Sequence, residues 1–308
     1  MSFKLPGVPS ARADVHEIAD YTEIECWKRG RVSVTEIAGL LRRVEELDYS
    51  QGVSDEDEVS VLVDEVYAEV DQRCQACGDG YPFAIEQTGY RLERRESGGD
   101  SARRFIYQYL LLATRLRMDK YRKHADIDGA LLFEYLAAEV ARKYFGAGAE
   151  SLVFGTAAGT GEIRARLDFL CKRTGEGGGS GRHVVAQSKD AKLDVVVWKS
   201  FRDGLPGKMM GFGQCKTGTD WRDQLTQLQP DVFCDQLRST PVLTPVRMFF
   251  VAEAPDRSGW RSVAKPAGLL FDRCRIVEFS SDMCRVTMDR IATWTKRAAA
   301  VNGLPDTW

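Results

Sequence analysis

A single acid set before a run of four large apolar residues, Asp194-Val195-Val196-Val197-Trp198, does most to limit what this chain can become. β-branched and aromatic residues in an uninterrupted run favour a strand, so this segment belongs in a sheet. After a glycine-bearing turn comes a second strand, Lys208 to Lys216, which ends Gly213-Gln214-Cys215-Lys216. Strand side chains alternate between faces, so Gln214 and Lys216 project from one side and Cys215 from the other. A hairpin of the two strands brings Asp194 beside them. An acid to hold a divalent cation, an amide oxygen to complete its shell and an ammonium to position a water then converge, the residue set of a metal-dependent phosphodiesterase.

The flanking texture places these strands in a larger pattern. Up to about residue 172 the chain reads as helical. Val15, Ile18, Ala19, Ile24 and Trp27 follow a three-and-four spacing over Val15 to Gly30. Ser33 with Glu36 forms a capping box that opens a second helix with the stripe Ile37, Leu40, Leu41 and Val44. A third helix runs from about Asp55 to Cys74, and Cys77-Gly78-Asp79-Gly80-Tyr81-Pro82 breaks it. Further helices are expected over Phe105 to Met118, Gly129 to Phe145 and Ile163 to Lys172, with a short strand and turn between Ala147 and Gly161. Gly175-Glu176-Gly177-Gly178-Gly179-Ser180-Gly181 reads as the most flexible stretch. Beyond it strands alternate with helices: a helix at Trp221 to Leu228, strands at Val246 to Glu253 and around Arg275 to Phe279, and a closing helix from Ser281 to Ala300. This order predicts an α/β fold, a mixed sheet flanked by helices and preceded by a helical region. The boundaries expected are an N-terminal, mainly helical regulatory or interaction domain over 1–125 and a catalytic domain over 126–308.

Composition narrows the setting. Of 308 residues 44% are hydrophobic and 29% charged, ordinary for a soluble globular chain, and the formal charge of −2 gives no global attraction to nucleic acid. No run approaches the roughly 20 apolar residues that cross a bilayer, and Met1-Ser2-Phe3-Lys4-Leu5-Pro6 has no signal-peptide core. Cytoplasmic residence with no membrane partner is therefore expected. The eight cysteines, irregularly spaced in apolar segments, read as reduced and mostly buried thiols. Eleven acids and no Lys or Arg lie between Glu45 and Asp71, while ten Lys or Arg face four acids between Arg91 and Lys123. Two solvated faces of opposite sign explain this, as does a phosphate-contacting basic surface shielded by an acidic segment.

With Glu134 on a helix, Asp194 on a strand, Gln214-x-Lys216 on the next, then a helix and a strand, the region from Gly129 to Phe279 resembles the restriction-endonuclease-like nucleases with the PD-(D/E)xK motif. Their core runs helix, three-stranded meander, helix, strand, and their Mrr-like branch uses Gln-x-Lys. Gln214 departs from the commoner second acid. An amide oxygen coordinates Mg²⁺ without contributing charge, so a further carboxylate is expected. Phe133, Leu136, Ala137, Val140, Ala141 and Tyr144 make the buried stripe of the Gly129 to Phe145 helix. Glu134 borders that stripe about 90° from its centre, while Glu139 lies nearer the opposite side. The resemblance implies a metal-binding glutamate on this helix, and Glu134 is the matching position.

The expectation is a Mg²⁺-dependent deoxyribonuclease, with Mn²⁺ able to substitute. Glu134, Asp194 and Gln214 are its metal ligands, and Lys216 orients water or offsets transition-state charge. The resemblance further implies DNA as substrate and a role in bacterial antiviral defence. The uneven charge of the N-terminal half suggests a regulatory protein partner or homo-oligomer, and an autoinhibited effector that gains activity when about Met1 to Asp79 is deleted. The alternatives are a non-catalytic nucleic-acid-binding or scaffold protein with a decayed nuclease fold, and a helical adaptor whose sheet is structural. The turn Thr217 to Arg222 could present backbone N–H groups, Arg222 and Trp221 to nucleic acid, or equally be a capped helix with a buried Trp. Gln187 and Glu176 are further polar candidates. Cys74-x-x-Cys77 has zinc-knuckle spacing but no second pair, and Asp126-Ile127-Asp128-Gly129 lacks the remaining calcium-loop ligands.

Overall fold

The computed structural model describes residues 5–47, 56–95, 100–155, 162–182, 184 and 192–305. Helix α1 (Val15–Arg29) ends at Gly30 in the left-handed conformation and leads through β1 (Arg31–Ser33) into α2 (Val34–Leu47). The capping box forms as read: Ser33 N donates to Glu36 Oε2 at 2.8 Å and Glu36 N to Ser33 Oγ at 3.2 Å. Helix α3 (Glu56–Cys77) follows, then β2 (Phe83–Ile85) and β3 (Arg91–Arg94), which pair with β1 in a small antiparallel sheet of order β1-β3-β2. Next come α4 (Ser101–Arg115), α5 (Met118–Tyr121) and the two-stranded ribbon β4 (Lys123–His124) and β5 (Ile127–Asp128). Asp128 caps α6 (Gly129–Phe145), its side chain accepting from Ala130 N and Leu131 N.

The central sheet has five strands in the order β10-β9-β8-β7-β6. Strands β6 (Ala149–Val153), β7 (Val195–Lys199) and β8 (Met209–Lys216) form an antiparallel meander, with α7 (Ile163–Thr174) between the first two. A short 3₁₀ turn, Asp220–Gln224, and α8 (Pro230–Cys234) return the chain to β9 (Val246–Val251), which lies parallel to β8. Helix α9 (Trp260–Ala267) leads to β10 (Leu269–Phe271), parallel to β9; α10 (Arg273–Glu278) and α11 (Arg285–Val301) close the chain. The architecture is mixed α/β, with helices on both faces of the sheet.

Alternation along the strands divides two layers of core. Val195, Val197, Met248 and Phe250 face α6, whose Phe133, Leu136, Ala137 and Val140 belong to the same cluster. On the opposite face Val196, Trp198, Met210 and Phe212 pack with Leu167 and Leu170 of α7 and with Phe233. On the α6 face β8 carries glycine where its neighbours carry bulk. A Cβ at Gly211 would stand 2.7 Å from Met248 Sδ and 3.0 Å from Phe145 Cζ, so α6 can seat closely only because the side chain is missing.

Packing runs without interruption across residues 125 and 126. The cluster on the α6 face also contains Ile18 and Trp27 of α1, Val63 and Val70 of α3, and Tyr107 and Leu110 of α4. A buried polar network crosses it as well. Asp20 and Glu23 of α1, Arg73 of α3 and Arg273 of α10 are all fully buried. Arg73 Nη1 donates to Asp20 Oδ1 at 2.7 Å and to Glu23 Oε1 at 2.9 Å; Arg273 Nη1 and Nη2 donate to the two Asp20 oxygens at 2.8 and 3.0 Å. Arg115 adds a bond to Asp20 at 2.7 Å, and the Tyr81 and Tyr107 hydroxyls both donate to Glu23. Burial by itself would raise the Asp20 carboxyl. Arg273, Arg115 and Arg73 outweigh it and hold the group well below the usual carboxylate range.

Several sequence expectations need correction. Arg275 to Glu278 is helix, not strand, because Asp272 caps α10 by accepting from Arg275 N at 2.9 Å; the strand is the preceding Leu269–Phe271. The expected helix from Trp221 to Leu228 is reduced to the 3₁₀ turn, with Pro230 opening α8 beyond it. Tyr144, placed in the α6 stripe, is 44% exposed. The glycine-rich stretch is pinned rather than free. Gly177 and Gly179 carbonyls accept from Ser239 N and Arg238 N, Gly181 N donates to Gln236 O, and the Glu176 carboxylate accepts from Gly207 N, Lys208 N and Val242 N. Its glycines at 175, 177, 178 and 179 have positive φ, which explains the composition without invoking mobility. All eight cysteines are free and five are buried, as read from the sequence. No helix among the described residues is long and apolar enough to cross a membrane.

Candidate active site

Because β7 is antiparallel to β8 and β8 parallel to β9, one end of the sheet gathers the start of β7 and the ends of β6, β8 and β9. Asp194 sits there, immediately before β7 rather than inside it. Its backbone is gripped from both sides: Asp194 N donates to Gly213 O at 2.9 Å, and its carbonyl accepts from Phe154 N at 2.7 Å and Gly155 N at 3.2 Å. Asp194 Oδ2 accepts from Cys215 N at 2.7 Å. The half-buried carboxylate is thus oriented by a main-chain N–H.

Gln214 and Lys216 close β8, opposite Phe249 and Val251 of β9. Alternation puts both on one face with Cys215 opposite, as the sequence predicts, and that face is the one away from α6. Gln214 has 0% exposure. Its Nε2 donates to Gln227 Oε1 at 3.3 Å, while its Oε1 is buried without a hydrogen-bond partner among the described residues. An unsatisfied buried acceptor costs about 1–3 kcal/mol, so this oxygen suits a site completed by a ligand. Lys216 is half-buried, and among the described residues nothing hydrogen-bonds or ion-pairs with its ammonium.

Glu134 comes from the second turn of α6 and is half-buried, consistent with a position on the border of the stripe. It leans on Gly155, where an added Cβ would lie 2.5 Å from Glu134 Oε2 and 3.0 Å from Cδ. Since Gly155 N bonds the Asp194 carbonyl, the helix acid and the strand acid are separated by one backbone segment. Their common neighbour is Cys215. Burial pushes the Cys215 thiol well up, Asp194 and Glu134 push it further, and Lys216 opposes them. The four expected residues are therefore brought to one end of the sheet, with Glu134 reached past β6 and Gln214 turned to the far face. Glu139 lies elsewhere: its carboxylate accepts from Cys284 N and Thr287 Oγ1 at the start of α11.

The turn after Lys216 takes the structural option left open by the sequence. Trp221 is buried and its Nε1 donates to Glu253 Oε2 at 2.5 Å; Arg222 Nη1 donates to the same oxygen at 3.0 Å and stacks on the Trp221 ring. Glu253 also meets His16 Nε2 of α1 at 3.2 Å. Burial alone would raise Glu253, but the His16 contact and the Trp221 and Arg222 donors lower it. Trp221 is thereby unavailable to stack on a base. Ala252 N donates to Lys216 O at 3.2 Å and Ala252 O accepts from Arg273 Nε at 3.0 Å, so the buried network is tied through Ala252 to the main chain at the end of β8. Gln187 lies outside the described residues, and Glu176 is spent on the loops at the other end of the sheet.

Sequence reasoning overlooked Gln227 and Gly155. Neither carries a motif, and only their contacts with Gln214 and Glu134 reveal them. As donor types, the Asp194 carboxylate and the orphaned Gln214 oxygen suit a hard, oxygen-ligated cation that keeps several waters, while the Glu134 carboxylate lies on the α6 side of the sheet and Gln214 on the other. Among the described residues no three His, Cys, Asp or Glu side chains are grouped closely enough to hold an ion by themselves. Compared with protein-family models, with curated proteins and with solved structures, the chain gives no match.

Proposed function

We propose that this chain is a Mg²⁺-dependent nuclease of the restriction-endonuclease-like fold that hydrolyses DNA phosphodiesters. The observation that carries the reading is the end of β8, where Gln214 Oε1 is buried with no hydrogen-bond partner and the Lys216 ammonium is unbonded among the described residues, and where Cys215 N between them holds the Asp194 carboxylate. The order of elements supports it: a helix bearing Glu134, a three-stranded meander with Asp194 before its second strand and Gln214-x-Lys216 at the end of its third, then a helix and a parallel strand. That is the order of the superfamily the sequence resembles.

Asp194, Gln214 and Glu134 would hold the cation, Mg²⁺ or Mn²⁺. When bound, it would polarise the phosphodiester and ease deprotonation of an attacking water. Asp194 contributes an oriented anion whose direction is set by Cys215 N. Lys216 would supply a positive charge to offset the negative charge that accumulates as water adds and the P–O bond breaks. DNA as substrate, cytoplasmic residence, a defence role and a regulatory partner or homo-oligomer rest on the resemblance and on the sequence alone.

One observation favours the alternative of a decayed, non-cleaving site: the absence of a three-ligand cluster of His, Cys, Asp or Glu among the described residues. Plasmid nicking with Mg²⁺ or Mn²⁺ separates the two. Wild type should nick, and Asp194→Ala and Lys216→Ala should lose at least about 100-fold while melting within a few degrees of wild type. Metal-independent or absent nicking by wild type, or full activity of Lys216→Ala, refutes the proposal.

A further inference from the structure

We propose that Gln227 is a positioning residue that fixes which end of the Gln214 amide faces the cation site; the inference rests on the metal reading above. A glutamine side chain has nearly the same shape when its amide is turned by 180°, yet the turn exchanges an acceptor for two donors. Only the acceptor orientation can ligate a cation. Facing the site with Nε2 instead, Gln214 would direct N–H groups at the metal and repel it.

The side chain is fully buried on one face of the sheet, so solvent does not decide the matter. Among the described residues the only hydrogen bond the Gln214 amide makes is from Nε2 to Gln227 Oε1. That bond engages one N–H of Nε2 and leaves Oε1 without a partner among the described residues. Gln227 is itself exposed, and its backbone is held by the turn in which Gln227 N donates to Gln224 O at 3.1 Å. It touches no substrate and no metal; its effect on the site passes through Gln214. Where the related nucleases place a carboxylate, whose two oxygens are equivalent, no such helper is required. An amide at this position needs one.

The test is a Mn²⁺ titration, followed by electron paramagnetic resonance of the free ion, on the full-length chain in two backgrounds. In the wild-type background, Gln227→Leu removes the acceptor without adding charge and should weaken Mn²⁺ binding about 10–100-fold, the range for outer-shell partners of metal ligands. Gln227→Glu restores an acceptor-only partner and should bind at least as well as wild type. In the Gln214→Glu background there is no amide to orient, so adding Gln227→Leu should change the affinity by less than about twofold if the effect is one of orientation. Thermal melts check that each variant folds, which the exposure of Gln227 leads one to expect. Unchanged binding by Gln227→Leu, or an equal loss in both backgrounds, overturns the role of Gln227 and leaves the metal site standing. Absence of Mn²⁺ binding by wild type overturns the metal reading and this inference together.

Discussion

Replacing Asp20 with Ala should be among the most damaging single changes in the chain, although Asp20 lies outside every motif. Its carboxylate is fully buried and accepts from Arg73, Arg115 and, through both oxygens, Arg273. Removing it leaves Arg73 with Glu23 and Glu69, Arg273 with Glu23 alone, and Arg115 with Glu17, the first two guanidinium groups having no solvent contact. Breaking a buried pair from one side costs about 3–5 kcal/mol, most of it from the charge left behind. An unfolding entropy of about 2.1 cal/mol/K per residue gives roughly 0.65 kcal/mol/K for a chain this long. If the shared core unfolds as one unit, Tm should fall by about 5–8 °C. Glu17→Ala provides the contrast, since Glu17 meets the same Arg115 at 3.3 Å but at the surface, where such pairs contribute about 1 kcal/mol or less.

The pH dependence carries its own sign. Asp20 has a folded pKa below its unfolded value, so its contribution is fully present above about pH 4 and is lost as pH falls toward the folded pKa. Wild type should therefore lose stability below about pH 4 more steeply than Asp20→Ala, by up to about 1.4 kcal/mol per pH unit. Calorimetry between pH 3 and 8 reads both effects. A Tm within about 1 °C of wild type at pH 7, or parallel acid limbs for the two proteins, would show that the network is not holding the fold.

Two further outcomes follow from the same geometry. Gly155→Ala should displace the Glu134 carboxylate, because its Cβ would lie 2.5 Å from Oε2; Mn²⁺ affinity should drop about tenfold with little change in Tm, and unaltered binding would remove Glu134 from the ligand set. Deleting residues 1–79 takes away Asp20, Glu23, Glu69 and Arg73 together with Ile18, Trp27 and Val63, and strands Arg273 in an opened core. The truncated chain should be insoluble or unfolded by circular dichroism, the reverse of the gain in activity expected from the charge pattern alone; a soluble, cooperatively melting fragment would refute this.

The parts of the fold legible in the sequence are those where one local force dominates. The Ser33 and Glu36 capping box, the Gly30 stop of α1 and the valine run of β7 each follow from a preference that tertiary packing reinforces. The errors fall where a local signal was outvoted. Ile276 and Val277 suggest a strand, but Asp272 caps a helical turn at that point, and one side-chain bond to Arg275 N decides between the two. The glycines of 175–181 suggest slack, yet a buried carboxylate at Glu176 and backbone bonds to residues 236–239 fix them. A composition rule reads how many conformations are available, whereas three-dimensional contacts select one.

The same distinction governs the candidate site. Asp194, Gln214 and Lys216 were legible because strand periodicity places them together, and Glu134 because helical periodicity puts it at the edge of an apolar stripe. The network behind them was not, since Asp20 and Glu23 occupy the α1 face that also carries Ile24 and Trp27. Polar residues on a buried stripe weaken the very periodicity by which the stripe is recognised. Their burial was nonetheless inferable in principle: Asp20, Ile24 and Trp27 share the spacing of one helical face. An acid on that face requires a buried cation from elsewhere, and Arg73 and Arg273 supply it from elements 53 and 253 residues away. Because Arg273 also grips the Ala252 carbonyl, and Ala252 N bonds the Lys216 carbonyl, the helices that precede residue 126 are linked to the main chain that carries Lys216.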